Sequence, residues 1–248
     1  DNASEDIKQK LIGGKTSIHK EFLKIQIQQK REDLRNETPR INLPEGMQLY
    51  NLDFRNVGPE IIPDNSIDLI FTDPPYGAEY LYLYGELGKF ANRVLKDGGS
   101  LVTFIGQHNI IKIGNLIQNN GLNYIWSICV KHSGHSARVR LSGSMITVDW
   151  KPLLWFIKGE VSNNPNWIND CIESSTPDKV VHDWQQSDTE SKHIIEALTV
   201  ENQIVLDPMM GSATTGMAAN RLNRKFIGVE IDKDTFEIAR HNLFNFFK

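Results

Sequence analysis

The chain has 248 residues, of which 40% are hydrophobic, and its formal net charge at pH 7 is −4. This length suits one sizeable α/β domain with a short extension, and the acidic balance excludes a protein whose whole surface attracts nucleic acid. The longest apolar runs, at 101–105 and 153–157, are far shorter than the roughly 20 residues that cross a bilayer, so we expect no membrane span.

The residues before position 40 predict a separate polar extension. Residues 16–35 form one predicted helix with a loose apolar stripe, and Pro39 and Pro44 then interrupt the pattern. We therefore divide the chain into an N-terminal helical extension or linker at 1–40 and a main domain at 41–248.

Beyond this boundary, short apolar runs alternate with amphipathic segments, which is typical of a sheet covered by helices. We predict strands at 67–72, 100–105, 124–131, 153–157, 204–207 and 226–230. We predict helices at 80–95, 109–119, 189–198, 213–222 and 233–246. Ser187 and Glu190 form a capping box for the third of these helices.

A proline-rich loop directly follows the first predicted strand. It reads Asp73-Pro74-Pro75-Tyr76, and open parallel sheets bind ligands at the carboxyl ends of their strands. Consecutive prolines stiffen the backbone and remove N–H donors, which leaves a row of acceptors suited to an amino group. Tyr76 adds a flat ring on which a planar base can stack. The alternative interpretation is an ordinary proline-stiffened turn capped by Asp73.

A second loop, rich in small residues, follows the strand predicted at 204–207. It runs from Asp207 to Thr214 and leads into a helix, but it matches neither the G-x-G-x-x-G fingerprint nor a P-loop. Small side chains let a ligand approach the backbone, and the N–H groups at a helix start favour a carboxylate or a phosphate. The next strand ends at Glu230, an acid that can accept hydrogen bonds from both ribose hydroxyls. A nucleoside with a carboxylate tail, such as S-adenosylmethionine, fits this layout.

Together the two loops resemble those of the DNA amino-methyltransferases. In that family Asp-Pro-Pro-Tyr is the catalytic motif and Asp-Pro-Phe-x-Gly-Ser-Gly-Thr is the cofactor loop, which correspond here to 73–76 and 207–214. The similarity covers most of residues 46–248, and the catalytic loop precedes the cofactor loop, as in the circularly permuted beta group. The resemblance implies an α/β, Rossmann-like class I methyltransferase dependent on S-adenosylmethionine. Its sheet would be mostly parallel and seven-stranded, with helices on both faces, in a catalytic domain at 41–248.

The resemblance also implies roles for the matching residues. Asp73 and the Pro74 carbonyl accept the two N–H groups of the target amine, and Pro75 and Tyr76 complete the catalytic loop. Thr214 binds the cofactor carboxylate and Glu230 binds its ribose. The full set of implied cofactor-binding residues is Asp73, Asp207, Pro208, Gly211, Ser212, Thr214 and Glu230.

Asp53 is a further candidate, from its place before the first predicted strand of the core. We assign it to the adenine of the cofactor, and a surface cap is the alternative interpretation.

The sequence departs from the family at three places. Met209 replaces the Phe of the cofactor loop and Ala213 replaces its second Gly, so we expect a slightly tighter loop. The segment at 182–187 lacks the Lys and Pro of a family motif, which leaves its contacts with the methionine part of the cofactor open.

The expected partner is DNA, whose target base must be flipped out of the duplex to reach the loop. The best local basic surface lies at 131–140, where Lys131, Arg138 and Arg140 can contact phosphates, unless this is a solvated loop with incidental charge. Only a short stretch stands at 158–182, where many relatives carry a recognition domain. A homodimer and a recognition domain N-terminal to Asp1 therefore remain open as sources of specificity.

Adenine N6 is the first choice of target, because the N4-cytosine group more often has Ser at the position of Asp73. This choice implies an adenine-specific, site-specific DNA methyltransferase of a restriction-modification system. N4-cytosine methylation, an RNA adenine methyltransferase and an inactive nucleic-acid-binding subunit are the alternatives.

The chain opens without a basic segment followed by an apolar run, so we expect a cytoplasmic protein. Cys129 and Cys171 lie in different segments and match neither a disulfide framework nor a metal-ligand spacing. We expect reduced thiols and no metal.

Overall fold

A computed structural model describes residues 43–132, 139–141, 145–160, 166–174 and 188–247. The helix predicted at 16–35, the boundary near 40 and the capping residue Ser187 lie outside these ranges. No helix within them is long and apolar enough to cross a membrane.

The described chain contains ten strands and five α-helices. The strands are β1 (Met47–Tyr50), β2 (Ile67–Thr72), β3 (Leu95–Phe104), β4 (Leu122–His132), β5 (Val139–Leu141), β6 (Ile146–Val148), β7 (Trp150–Lys158), β8 (Cys171–Ser174), β9 (Ile204–Asp207) and β10 (Lys225–Val229). The helices are α1 (Leu81–Val94), α2 (Ile110–Gln118), α3 (Thr189–Leu198), α4 (Thr214–Arg221) and α5 (Lys233–Phe246). Three single 3₁₀ turns lie at Phe54–Asn56, Ala78–Tyr80 and Gln107–Asn109.

Eight of the strands form one sheet in the order β1-β10-β9-β2-β3-β7-β4-β8, and β5 pairs with β6 separately. The first five strands of this order run parallel, and β7 runs antiparallel to both of its neighbours. The expected mostly parallel α/β sheet is confirmed, but it has eight strands rather than seven.

The edge strands β1 and β8 were not among the predicted strands, and the short β8 pairs in parallel with β4. This pairing makes Cys129 and Cys171 register partners, and both are free thiols. The sequence placed them in different segments, and only the edge pairing brings them together.

Helices cover both faces of the sheet, as predicted. On β2, Leu69 and Phe71 point to one face, where they join a core that includes Ile194 of α3. Ile70 points to the other face and packs in a core with Leu87 of α1. A central strand buried on both sides must be apolar throughout, which explains the continuous hydrophobic run that predicted β2.

The order of the strands determines where a ligand can bind. From β2 the chain crosses to β3 on one side, and from β9 it crosses to β10 on the other side, while β2 and β9 are direct neighbours. Ligands of open α/β sheets bind outside the carboxyl ends of strands at such a switch point. The loops that follow Thr72 and Asp207 therefore meet at one edge of the sheet.

Candidate active site

A cavity of about 510 Å³ opens at this edge, a volume within the usual range of roughly 300–1,000 Å³ for small-molecule and cofactor sites. The proline-rich loop contributes Asp73 and Pro75 to its wall, and the small-residue loop contributes Pro208 and Gly211. Glu230 at the end of β10 also lines it. The two sequence motifs thus share one cavity.

Asp207 holds the two loops together from within the protein. Its carboxylate accepts hydrogen bonds from the Thr72 hydroxyl at 2.8 Å and from the Thr215 hydroxyl at 2.8 Å. It also accepts the N–H of Met209 at 3.2 Å. Asp207 is buried and is not part of the cavity wall. Its hydrogen bonds connect β9 to Thr72 of β2 and to Thr215 of α4. Pro208 and Gly211 of the same loop, in contrast, line the cavity.

Glu230 and Gly211 form another part of the cavity wall. One Glu230 oxygen accepts the N–H of Gly211 at 3.1 Å, and the other accepts the N–H of Asp232 at 2.9 Å. Each carboxylate oxygen offers about two acceptor positions, so both retain capacity for a ligand. Gly211 has a φ of +53°, and a Cβ built on it would meet no atom within 4 Å. The backbone conformation therefore favours glycine, and open space lies beside it.

Asp53 lines the same cavity, but it follows strand β1 rather than preceding the first strand of the core. It caps the 3₁₀ turn at Phe54–Asn56 by accepting the Arg55 N–H, and it pairs with the Arg55 guanidinium, with an Nε to Oδ1 distance of 3.0 Å. The hydrogen bond from the Arg55 side chain holds the pKa of the Asp53 carboxyl below its usual value. Both interpretations of Asp53 fit, because it is a cap and a cavity residue.

Asp73 stands at the carboxyl end of β2 and receives a hydrogen bond from the Tyr76 hydroxyl. Its side chain can be reached by solvent in the open cavity, yet the protein atoms around it displace enough water to raise its pKa. The Tyr76 hydrogen bond and the charge of Lys151 oppose this shift. Burial likewise raises the pKa of Tyr76, so its hydroxyl stays protonated and can donate.

The structure places the other predicted residues outside the cavity wall. Pro74 is buried, and the Tyr76 ring is 38% exposed beside Asp73. Ser212 and Thr214 are partly buried at the start of α4, with their hydroxyl oxygens 3.3 Å apart.

The predicted basic surface is only partly described. Lys131 is exposed on β4, with its ammonium 3.8 Å from the Glu173 carboxylate. Arg138 lies outside the described residues, as does the segment at 182–187, and Arg140 is placed on β5 by its backbone alone. The role of this basic surface in DNA binding stays a prediction.

Several residues of the site were missed from the sequence. Thr72 directly precedes the proline-rich loop, and Thr215 directly follows the small-residue loop. Hydroxyl groups at these two positions indicate donors for a buried carboxylate, which is that of Asp207. Tyr80 and Tyr82 line the cavity from the start of α1, and Arg55 lies with its guanidinium carbon 5.7 Å from the centroid of the Tyr82 ring. No pattern at 78–83 separates such wall residues from an ordinary amphipathic helix start.

Ala213 holds a backbone conformation that usually requires glycine, with φ +67° and ψ +31°, and its methyl group is fully buried. We expect Ala213→Val to lower the free energy of unfolding by at least about 2 kcal/mol, because a β-branched side chain is strained at positive φ and has no room. Ala213→Gly should stay within about 1 kcal/mol of the wild type, since relief of the left-handed strain offsets the lost methyl contacts and the greater freedom of the unfolded chain. Urea unfolding measures both, and equal values for the two variants would contradict this account.

The stability of the protein should fall as the pH rises through the range in which Asp207 titrates. Burial raises the pKa of Asp207 to about 6, against 3.8 for an ordinary Asp carboxyl. Between these values the folded state binds the proton more tightly than the unfolded state, so a contribution of roughly 2–3 kcal/mol present below pH 4 is lost by about pH 7. Asp207→Asn should remove this slope from urea unfolding measured at pH 4.5–7.5, and the exposed control Asp97→Asn should retain it. Parallel curves for Asp207→Asn and the wild type would be inconsistent with a buried carboxyl of raised pKa.

A family model for N6 and N4 DNA methylases matches residues 67–241, which include both loops and the strands that carry them. The chain belongs to this DNA methylase family. The predicted resemblance to DNA amino-methyltransferases is thereby confirmed.

Individual relatives agree with this assignment. The DNA methylase is 28% identical over 263 residues to the type II methyltransferase M.BglII of Bacillus subtilis, covering 84% of this chain and 72% of that protein. It is 27% identical over 229 residues to the type II methyltransferase M2.LlaDCHI of Lactococcus lactis subsp. cremoris, covering 74% of this chain and 84% of that protein. The crystal structure of the M1.HpyAVI–SAM complex superposes with a TM-score of 0.62 at 30% identity, covering 79% of this chain and 98% of that one. The predicted class I methyltransferase fold is confirmed.

Proposed function

We propose that this DNA methylase transfers the methyl group of S-adenosylmethionine to the N6 amino group of adenine in DNA. The supporting observation is that Asp73 shares one cavity with Gly211 and Glu230, at the adjacent carboxyl ends of β2 and β9. The Asp73 carboxylate, which suits an amino group, and the Glu230 carboxylate, which suits the ribose of a nucleoside, thus line the same cavity.

The residues of the cavity fit S-adenosylmethionine. Glu230 has acceptor capacity left for two ribose hydroxyls, and the backbone at Gly211 leaves room for a ligand to lie against it. Asp53 and Asp73 also line the cavity. The Asp53 carboxylate would hold the adenine of the cofactor, and the Asp73 carboxylate would offer a negative charge to its cationic sulfur. When bound, this cofactor supplies an electrophilic methyl group on a positively charged sulfur.

The chain's own contribution to the reaction is to orient the target amine. The amino nitrogen of adenine is a poor nucleophile, because its lone pair is delocalised into the ring. Asp73 in the cavity wall accepts one N–H, and the family resemblance assigns the other to the carbonyl of the neighbouring Pro74. Together these hydrogen bonds would turn the lone pair toward the donor methyl group. As the N–C bond forms and the S–C bond breaks, positive charge moves to the nitrogen and is stabilised by the Asp73 carboxylate. The nitrogen then releases one proton to water through Asp73.

Two further groups support this geometry. A base within a duplex cannot enter the cavity, so the target nucleotide is flipped out, and the half-exposed Tyr76 ring replaces its lost stacking. Pro75 in the cavity wall keeps the catalytic loop stiff. Holding both reactants in line accounts for much of the rate enhancement.

Mass spectrometry of nucleosides tests the target directly. Unmethylated genomic DNA and total RNA are each incubated with the protein and cofactor carrying an isotopically labelled methyl group, then digested. We expect labelled N6-methyladenine from DNA only. Labelled N4-methylcytosine would show that the target base is cytosine rather than adenine. Label found in RNA alone would show that the substrate is not DNA. Protein carrying Asp73→Ala is the control for contaminating activity.

A further inference from the structure

Strand β7 brings a cation to the catalytic loop. Because β7 runs antiparallel to β3, its first residues lie beside the carboxyl end of β3, and the Ile105 N–H donates to the Pro152 carbonyl at 3.1 Å. The next residue toward the start of β7 is Lys151. Its ammonium lies 5.4 Å from the centroid of the Tyr76 ring and 5.8 Å from that of Phe104. Both distances are within the range of cation–π contact.

The Lys151 ammonium forms no hydrogen bond or ion pair with another side chain or backbone group of the described residues. A direct ion pair would fill an acceptor position of the Asp73 carboxylate that the substrate amine needs. The ammonium instead sits against the ring whose hydroxyl binds Asp73, and its charge acts on that carboxylate from beyond ion-pair distance. The acceptor therefore remains available.

Asp73 needs such a cation because its other surroundings favour protonation. Desolvation raises its pKa, and the charge of Asp207 on β9 interacts unfavourably with it, as the raised pKa of Asp207 also reflects. Tyr84 on α1 faces Asp73 as a neutral phenol whose pKa is raised by burial. Tyr76 and Lys151 are the described groups that oppose the protonation of Asp73.

We propose that Lys151 is a positioning residue of the methyl transfer, which fixes the Tyr76 ring and keeps Asp73 ionised when a flipped base closes the cavity. This inference rests on the proposed function. A protonated Asp73 is a weaker acceptor for the amino N–H and cannot stabilise a cationic nitrogen by its charge, and a bound base removes still more of its water. The cation beside the Tyr76 ring offsets both effects.

The test compares Lys151→Met, which removes the charge at similar volume, with Lys151→Arg, which retains it. For each variant, kcat and KM for DNA are measured from pH 5 to pH 9, and cofactor Kd is measured by calorimetry. Lys112→Met, at an exposed position of α2, is the matched control. Thermal unfolding of every variant is recorded, and Lys151→Gln provides a second neutral side chain in case Lys151→Met does not fold.

We expect Lys151→Met and Lys151→Gln to move the acidic limb of kcat upward by about one pH unit, because a carboxyl without its cation takes up a proton at higher pH. Well below the acidic limb of the wild type this corresponds to about a tenfold loss of kcat, and the loss should shrink as the pH rises. Lys151→Arg should restore the wild-type profile, and cofactor Kd should stay within twofold in all variants.

Two results would overturn the inference. A pH profile that superimposes on the wild type, at any absolute rate, would mean that Lys151 only supports the fold. A higher KM for DNA with a weaker salt dependence and an unchanged pH profile would assign Lys151 to a phosphate contact. If the wild type methylates DNA, either result defeats this inference alone, whereas a wild type that methylates no base defeats the proposed function as well.

Discussion

Replacing Asp73 with Ala is expected to abolish measurable methyl transfer, lowering kcat by at least about 10²–10³-fold. The carboxylate is the acceptor at the carboxyl end of β2 that faces the cavity, and its charge opposes the positive charge that develops on the nitrogen. An alanine removes both functions and also leaves the Tyr76 hydroxyl without its described acceptor. Incorporation of labelled methyl groups into DNA measures the loss.

The same variant should bind the cofactor within several fold of the wild type, because Glu230 and Gly211 lie in a different part of the cavity wall and are unchanged. Calorimetry separates this outcome from a general collapse of the site. Asp97→Ala, at an exposed position, should keep full activity. Full activity in Asp73→Ala would rule out the mechanism, and loss of cofactor binding alone would move Asp73 from amine orientation to cofactor binding.

The position of the site could be predicted because its signals lie on consecutive residues. The apolar run at 67–72 predicts a central strand, and Asp73 follows it directly. The same reasoning places Asp207 at the end of β9, and the rule for parallel strands brings the two ends to one edge of the sheet. In the structure the two strand ends are joined by the hydrogen bond from the Thr72 hydroxyl to Asp207, in agreement with the rule.

Other parts of the site depend on pairings that no local pattern reveals. Strand β1 lacks the continuous apolar run that predicted the equally short β9, so it was missed and Asp53 was described only as preceding the first predicted strand. Lys151 was missed for a different reason. The rule for parallel sheets examines where strands end, whereas an antiparallel strand brings its beginning to the same edge.

The role of Asp207 shows the limit of a motif match. A resemblance to the cofactor loop assigns this residue to the ligand, but its carboxylate is occupied by two hydroxyls and one N–H of the protein. Its neighbours Pro208 and Gly211 reach the cavity because the chain turns outward after β9. The motif therefore predicted a loop that lies at the cavity, while side-chain packing determines which of its members face that cavity.

Replacing Glu230 with Gln should weaken the binding of S-adenosylmethionine roughly 10–100-fold, while the protein remains folded. The two Glu230 oxygens each accept one backbone N–H, from Gly211 and from Asp232. An amide has only one acceptor oxygen, so its NH₂ group must face one of these N–H donors, and the arrangement that presents acceptors to the ribose is lost. Hydrogen bonds to a charged group are typically worth about 1.5–3 kcal/mol, and 1.4 kcal/mol corresponds to tenfold in Kd. Calorimetric titration measures the change, with Glu86→Gln on the exposed side of α1 as the control. A Kd equal to that of the wild type would show that the cofactor ribose does not bind at the end of β10.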